Sequence, residues 1–235
     1  MQIDNLGFLR LLQLADSALP IGATAHSFGL ETLVEEGQLT VAQLEGFLQD
    51  YVEEAGLFES VFCRRSHALA SQADFTDFTA SWLTLNDELS AYKSARESRT
   101  ASATLGRRLL QLLQGLHEHA LLSTALQAAK EAGIETHYST AFGLAGALLG
   151  IDEQVTTLAY LHQTIMSLVS ACQRMLPLGQ NQASGLLWRL KPILLTITER
   201  SESFVQEKRT PALFTPLCEI GSMRHPELVT RLFVS

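Results

Sequence analysis

The spacing of the apolar residues constrains the fold most, because it follows a helical period over most of the chain. In one stretch apolar side chains recur in steps of three and four, at Leu44, Leu48, Tyr51, Ala55, Phe58 and Phe62. This spacing places them on one face of an α-helix. The period returns at 105–116 and 155–176, where it puts His162 and Cys172 on the apolar stripe. No segment shows period-two alternation bounded by turn residues, so no β-sheet is expected.

Turn-forming residues divide the chain into helical segments joined by short loops. The interruptions fall near residues 20–22, 37–40, 72–74, 133–137, 150–152 and 177–179. Pro192 is expected to kink or split the segment 183–197, because proline removes a helical hydrogen bond. A chain of 235 residues has the length of one large domain. We therefore predict an all-α, single-domain bundle of about eight to ten helices.

The helical period fades after about residue 200, and this change predicts a boundary. Residues 1–200 are expected to form the helical domain, and residues 201–235 a loosely structured C-terminal arm that binds a partner. Pro211, Pro216 and Pro226 lie in this arm. Its apolar residues have little reason to stay exposed in a monomer. They either meet a partner or fold back onto the domain.

Charge and cysteine content exclude several classes of protein. The formal net charge of −8 argues against an extended nucleic-acid surface, which needs clustered Lys and Arg. The three cysteines, Cys63, Cys172 and Cys218, are far apart and form no CxxC pair, which favours a reducing compartment. The chain opens without a signal-peptide pattern, and no run reaches the roughly 20 apolar residues of a membrane span. We expect a cytoplasmic protein without a membrane partner.

The motifs of common catalytic sites are missing from the sequence. It contains no GxxxxGK[ST] loop, no GxGxxG after a strand, no HExxH and no GxSxG. His117 and His119 are close in sequence, but residues two apart project to nearly opposite sides of a helix and chelate a metal poorly. For His26 and His225, a buried or hydrogen-bonded histidine is the simpler interpretation. We assign no catalytic residue, no cofactor and no metal site.

Four segments carry a resemblance to a known family. Residues 14–31 read LADSALPIGATAHSFGLE, residues 174–180 read RMLPLGQ, and residues 219–225 read EIGSMRH before the ending RLFVS. A polar helix is expected within residues 82–110. The motif residues of the first segment and of this helix are Pro20, Gly22, His26, Ser27, Gly29, Glu31, Lys93, Arg96, Glu97 and Arg99. These segments resemble motifs of the UreF family of urease accessory proteins. They occur in the same order as in the family and span nearly the whole chain. Pro226 departs from the pattern, because the family commonly has Glu directly after the histidine.

The resemblance implies a non-enzymatic urease maturation factor. Members of the family bind the accessory protein UreD (UreH in some systems), dimerise through UreF and recruit the GTPase UreG. The assembly promotes insertion of nickel into apo-urease. The missing P-loop fits this role, since the nucleotide chemistry belongs to the GTPase.

The same resemblance assigns candidate partner-binding residues. On the UreG side these are Arg174, Pro177, Gly179 and Gln180. On the UreD side they are Leu217, Ile220, Met223, His225, Arg231, Leu232 and Phe233. The alternative for Arg174 is a surface arginine near a helix C-terminus, where its charge favours the helix dipole. The stripe from Lys93 to Arg99 forms either an interface or an intramolecular ion-pair network.

Two other functions stay open. A direct nickel carrier would use His117, His119 or His225. An all-helical ligand-binding protein or enzyme would use His26 and His162. Neither alternative explains the four motif segments together.

Overall fold

A computed structural model describes residues 5–71 and 75–235, and within them every regular element is helical. The helices are α1 (Asn5–Leu14), α2 (Leu30–Glu35), α3 (Leu44–Tyr51), α4 (Leu57–Ser71), α5 (Phe75–Tyr92), α6 (Arg96–Leu116), α7 (Ala120–Ala132), α8 (Tyr138–Leu148), α9 (Glu153–Met175), α10 (Gln180–Gln206) and α11 (Pro216–Arg224). A π-helical turn, Val52–Gly56, joins α3 to α4, so the described residues form ten continuous helices. The all-α prediction is confirmed; the break expected near 72–74 lies outside the described residues.

Helix α8 lies at the centre of the bundle and is buried from Tyr138 to Gly146. Its glycines permit close contact with neighbouring backbones. A Cβ atom on Gly143 would lie 2.0 Å from the carbonyl oxygen of Cys63, and one on Gly146 would lie 2.3 Å from the side chain of Thr156. The small residues of this segment therefore allow neighbouring backbone and side chains to approach α8 closely. None of the helices among the described residues is long and apolar enough to cross a membrane.

Two predictions about helices are tested by α9 and α10. The apolar stripe of α9 is buried at Ile165, Val169 and Cys172, whereas His162 is only half-buried. Helix α10 continues through Pro192, so it is not split there. Leu190 precedes this proline, Leu194 and Ile197 follow it, and all three are buried in the core. Their packing holds both halves of the helix in place despite the missing backbone hydrogen bond.

The C-terminal arm is more ordered than the loss of periodicity indicates. Helix α10 passes the expected boundary at residue 200 and ends at Gln206, and residues 216–224 form α11. Helix α11 packs on α2 and α6. His225 and Phe233 are buried, with exposed fractions of 0% and 5%. The arm is therefore folded back onto the domain rather than loosely structured, because specific contacts replace the missing amphipathic pattern.

Candidate functional site

All four motif segments meet at one place on the molecule. The motif loop (residues 20–31), the start of α6 and the tail (residues 225–235) pack together beside α11. Glu31 lies at the centre and is 2% exposed. Its carboxylate accepts hydrogen bonds from the backbone N–H of Leu232 at 2.5 Å and of Phe233 at 3.1 Å. One motif carboxylate thus satisfies two backbone donors of the tail, as a buried ionised group requires.

His225 connects this carboxylate to α6. Its Nε2 lies 2.8 Å from Glu31 Oε2, and its Nδ1 lies 2.8 Å from Glu97 Oε2. Carboxylate oxygens only accept hydrogen bonds, so both contacts form together when both ring nitrogens carry a proton. Neither nitrogen is free to bind a metal in this arrangement. The two motif glutamates and the histidine fasten the tail between α2 and α6.

The end of the tail pairs with the motif loop through the backbone. Ser27 donates its N–H to the Ser235 carbonyl at 2.5 Å, and Val234 donates to the Ala25 carbonyl at 2.8 Å. His26 Nδ1 lies 2.7 Å from Ser235 Oγ. Burial lowers the pKa of His26, and the positive charge of Arg108 lowers it further. His26 is therefore buried and within hydrogen-bond distance of the tail.

Glycines of two distant motifs bring the motif loop and α11 into backbone contact. Gly29 has a φ of +87°, and a Cβ atom there would lie 2.4 Å from the Cys218 carbonyl oxygen. A Cβ atom on Gly221 would lie 2.6 Å from the Gly29 carbonyl oxygen. The Thr32 hydroxyl donates to the Gly221 carbonyl at 2.8 Å. No larger residue fits at either glycine without separating the two segments.

Arg174, assigned to the UreG side, lies on the tail. Its guanidinium donates to the carbonyls of Thr24 at 2.7 Å and Leu232 at 3.3 Å. The same group lies 4.1 Å from the ring centroid of Phe233, within the range of a cation–π interaction. Arg174 therefore holds the motif loop and the tail together. Neither the interface nor the helix-dipole interpretation of this residue included that contact.

The rest of the UreG-side set lies in the turn between α9 and α10. Pro177, Gly179 and Gln180 are exposed. The backbone N–H of Gly179 donates to Gln182 Oε1 at 3.0 Å, which caps the start of α10. Gln182 thus has a local structural role, whereas the exposed turn itself is free to contact another protein.

The UreD-side set divides into exposed and buried residues. Leu217, Ile220 and Met223 are 53%, 51% and 51% exposed. Their spacing of three residues places them on one face of α11. Leu232 and Arg231 are exposed as well, whereas His225 and Phe233 are buried in the molecule. The exposed residues of the set are available to a partner, whereas His225 and Phe233 hold the tail on the domain.

The stripe from Lys93 to Arg99 forms mostly intramolecular contacts. Lys93 forms an ion pair with Glu59, and Arg99 lies 3.5 Å from Glu135 while donating to the Lys93 carbonyl at 3.1 Å. The Arg96 side chain is exposed and forms no hydrogen bond or ion pair with any described residue. Lys93, Glu97 and Arg99 therefore each have a partner within the chain.

Several residues that position α11, the helix before the tail, were not identified from the sequence. Glu219 accepts a hydrogen bond from the Ala95 N–H at 2.7 Å, where α6 begins. Ser98 and Ser222 bond through their hydroxyls at 2.7 Å. The residues in these pairs lie 124 positions apart in the sequence. A single sequence carries no signal for such pairs.

The remaining histidines do not assemble a site. His119 Nδ1 accepts from the Leu121 N–H at 3.2 Å and so caps α7, and the His117 ring lies 6.1 Å away. His162 is half-buried on α9, with a pKa lowered by burial and by Lys191. Within residues 5–71 and 75–235, no three His, Cys, Asp or Glu side chains are grouped as metal ligands.

Comparison with known proteins agrees with the motif assignment. The model of the UreF family matches residues 39–191. The chain is similar to the urease accessory protein UreF of Nostoc sp., with 34% identity over 230 residues, 97% of this chain and 96% of the relative. It is also similar to the UreF proteins of Actinobacillus pleuropneumoniae serotype 3 (31% over 226 residues, 96% and 97%) and Lachnoclostridium phytofermentans (30% over 229 residues, 97% and 98%). These alignments cover nearly the full length of each protein.

Proposed function

Since this chain belongs to the UreF family of urease accessory proteins, which are non-enzymatic maturation factors, we propose that it is the scaffold of a nickel-loading complex. In this proposal it works in the cytoplasm, binds UreD (UreH), recruits the GTPase UreG and promotes nickel insertion into apo-urease. The observation that carries the proposal is the seated tail, which fixes α11 with an apolar face outward.

The apolar face of α11 is the proposed UreD surface. Leu217, Ile220 and Met223 lie on one face of α11 and stay half-exposed, although the tail that follows this helix is anchored. Exposed apolar side chains grouped on one element mark interaction surfaces. The contacts of Glu219 and Thr32 hold α11 in place before a partner arrives. A surface that is already ordered loses less conformational entropy on binding.

Coexpression with the cognate UreD tests this surface. The variant Ile220→Asp/Met223→Asp should no longer coelute with UreD in size-exclusion chromatography with mass determination. Leu195→Asp is a matched control, because Leu195 is 52% exposed but lies on α10. If the double variant binds UreD as well as the wild type does, the assignment of α11 is wrong. The mass of the wild-type complex also tests the expected homodimer.

The turn between α9 and α10 is the proposed UreG surface. Pro177→Ala/Gln180→Ala should reduce binding of UreG to the preformed complex with UreD, while binding of UreD stays unchanged. Arg174→Ala should weaken both, because Arg174 also holds the tail that supports α11. Loss of UreG alone in Arg174→Ala would instead assign this arginine directly to the GTPase interface. Unchanged UreG binding by the double variant would exclude the turn.

A further inference from the structure

A small cavity lies beneath the motif loop, apart from the tail contacts described above. Its volume is about 60 Å³, and Phe28, Tyr51, Lys93, Tyr138, Tyr160 and Thr164 are among the residues that line it. A water molecule needs roughly 10–15 Å³ on this measure, so the cavity has room for about four water-sized positions. That space fits a ligand of a few non-hydrogen atoms.

Two hydroxyl groups of the lining lack partners. Tyr138 Oη and Thr164 Oγ1 are buried and form no hydrogen bond with any described residue. Buried polar groups are nearly always satisfied, so two unsatisfied hydroxyls on one cavity require an explanation. Ser60 and Thr156 also carry unsatisfied buried hydroxyls, but they do not line this cavity. They therefore provide an internal comparison.

The cavity wall is rich in hydrogen-bond donors. Burial raises the pKa of Tyr51, Tyr138 and Tyr160, so these phenols stay neutral and able to donate. The one carboxylate, Glu59, already accepts from Lys93 and from the Ser139 hydroxyl. The Lys93 ammonium keeps further N–H groups beyond this pair. A ligand that supplies oxygen acceptors is the complement of this wall.

The backbone around the cavity has two unusual features. Phe28 has a φ of 52°, a left-handed conformation that is strained for a bulky residue. Tyr51 directly precedes the π-helical turn Val52–Gly56. Both kinds of feature are concentrated at functional sites. Here they lie at two aromatic side chains, Phe28 and Tyr51, that line the same small cavity.

We propose that this cavity binds a small oxygen acceptor, the chemistry shared by formate, bicarbonate and formamide, through Tyr138, Thr164 and Lys93. The site explains why motif residue Lys93 is turned inward to Glu59 rather than outward to a partner. None of the exposed α11 residues Leu217, Ile220 and Met223 lines the cavity, and neither does the turn between α9 and α10. The ligand-binding alternative had named His26 and His162, and neither lines this cavity.

Ligand titration of the full chain tests the proposal. Formate, bicarbonate and formamide are added separately at constant ionic strength, and binding is followed by the melting temperature and by calorimetry. At least one probe should raise the melting temperature saturably. Tyr138→Phe and Thr164→Val should each weaken its affinity about tenfold, the loss expected for one hydrogen bond. Binding of the anions but not formamide assigns a charged ligand, and the reverse assigns a neutral one.

Two control variants keep the outcome decisive. Thr156→Val removes an unsatisfied buried hydroxyl outside the cavity, and Tyr92→Phe removes an exposed phenol. Both should bind the probe as the wild type does. The proposal fails if none of the three probes binds saturably, or if both cavity variants, folded by circular dichroism, keep wild-type affinity.

Discussion

At the scale of single residues, the buried guanidinium of Arg64 has several hydrogen-bond partners. Arg64 is 2% exposed and donates to Glu153 Oε1 at 2.6 Å, Ser201 Oγ at 2.9 Å and the Thr198 carbonyl at 2.9 Å. It joins α4, α9 and α10. Breaking such a pair from one side leaves the other groups desolvated and unpaired. We therefore expect Arg64 to stabilise the packing of these three helices.

Arg64→Met should lower the free energy of unfolding by about 2 kcal/mol, because the buried Thr198 carbonyl and Ser201 hydroxyl lose hydrogen bonds to a charged group. Urea denaturation measures the change. Arg189→Met is the matched control, since Arg189 pairs with Glu45 at 2.8 Å but is 55% exposed. Exposed pairs contribute little to stability, because solvent screens their charges. Equal losses in the two variants would contradict the special role of Arg64.

The three cysteines should be unreactive in the folded protein. Burial raises the pKa of Cys172 to about 12 and of Cys218 to about 12, and it raises that of Cys63 further. The thiolate is the reactive form, so almost none is present at pH 8. A disulfide reagent such as DTNB should modify no cysteine rapidly until denaturant is added. One fast-reacting thiol in native protein would contradict this expectation.

At the scale of elements, the tail is fastened at a few points rather than by a continuous hydrophobic face. Glu31 accepts hydrogen bonds from two backbone N–H groups and contacts the ring of His225. The Arg174 guanidinium packs on the ring of Phe233. Helix α11 has no pronounced apolar stripe toward the core, because three of its apolar residues face outward. A segment held by few contacts opens more readily than the core helices. Single substitutions at these points should therefore release it.

Glu31→Gln should release the tail while leaving the bundle folded. The amide NH₂ group of glutamine cannot accept a hydrogen bond from a backbone N–H of the tail, as the carboxylate oxygen does. A hydrogen bond is therefore lost, and the NH₂ group faces another donor. Hydrogen–deuterium exchange of residues 228–235 should accelerate by about tenfold, the effect of losing roughly 1.4 kcal/mol. Glu36→Gln is the control, because Glu36 pairs with the exposed Arg224. Unchanged exchange in Glu31→Gln would exclude this carboxylate as the main anchor.

At the scale of the whole molecule, neutral buried histidines make the bundle sensitive to acid. His137 is fully buried, with Nε2 2.7 Å from Ser90 Oγ and Nδ1 3.2 Å from Ser102 Oγ. Burial lowers its pKa from 6.5 to about 3, and the charges of Lys93 and Arg99 act in the same direction. The folded state therefore resists protonation that the unfolded chain accepts. The linked stability is fully present above pH 6.5 and is lost as pH falls toward 3.

His137→Gln should flatten this pH dependence. In wild type, each pH unit below 6.5 removes about 1.4 kcal/mol through this residue, until the folded form also binds the proton. Urea midpoints measured between pH 7 and pH 4 give the slope for each protein. The variant and the wild type are compared by the slope of unfolding free energy against pH, whatever the stability of each at pH 7. Parallel slopes would show that acid destabilises the protein elsewhere.

The sequence by itself determined the class of fold and the family. Apolar spacing depends on local geometry, so α3, α4 and the buried stripe of α9 follow from periodicity. The motif identities indicated UreF without any knowledge of their contacts. Periodicity failed at α11, because this helix is stabilised by polar contacts and glycine packing rather than by an apolar stripe.

Only the tertiary structure decided which motifs meet. Glu31 and His225 lie 194 residues apart, and Arg174 lies 58 residues before Leu232. Their pairing depends on where the bundle places α2, α6 and α9, and helical spacing does not encode that placement. The cavity that holds the unsatisfied hydroxyls of Tyr138 and Thr164 likewise forms only where α3, α6, α8 and α9 have packed together. Local interactions fix each helix, whereas the site is formed by contacts that exist only once the helices have packed.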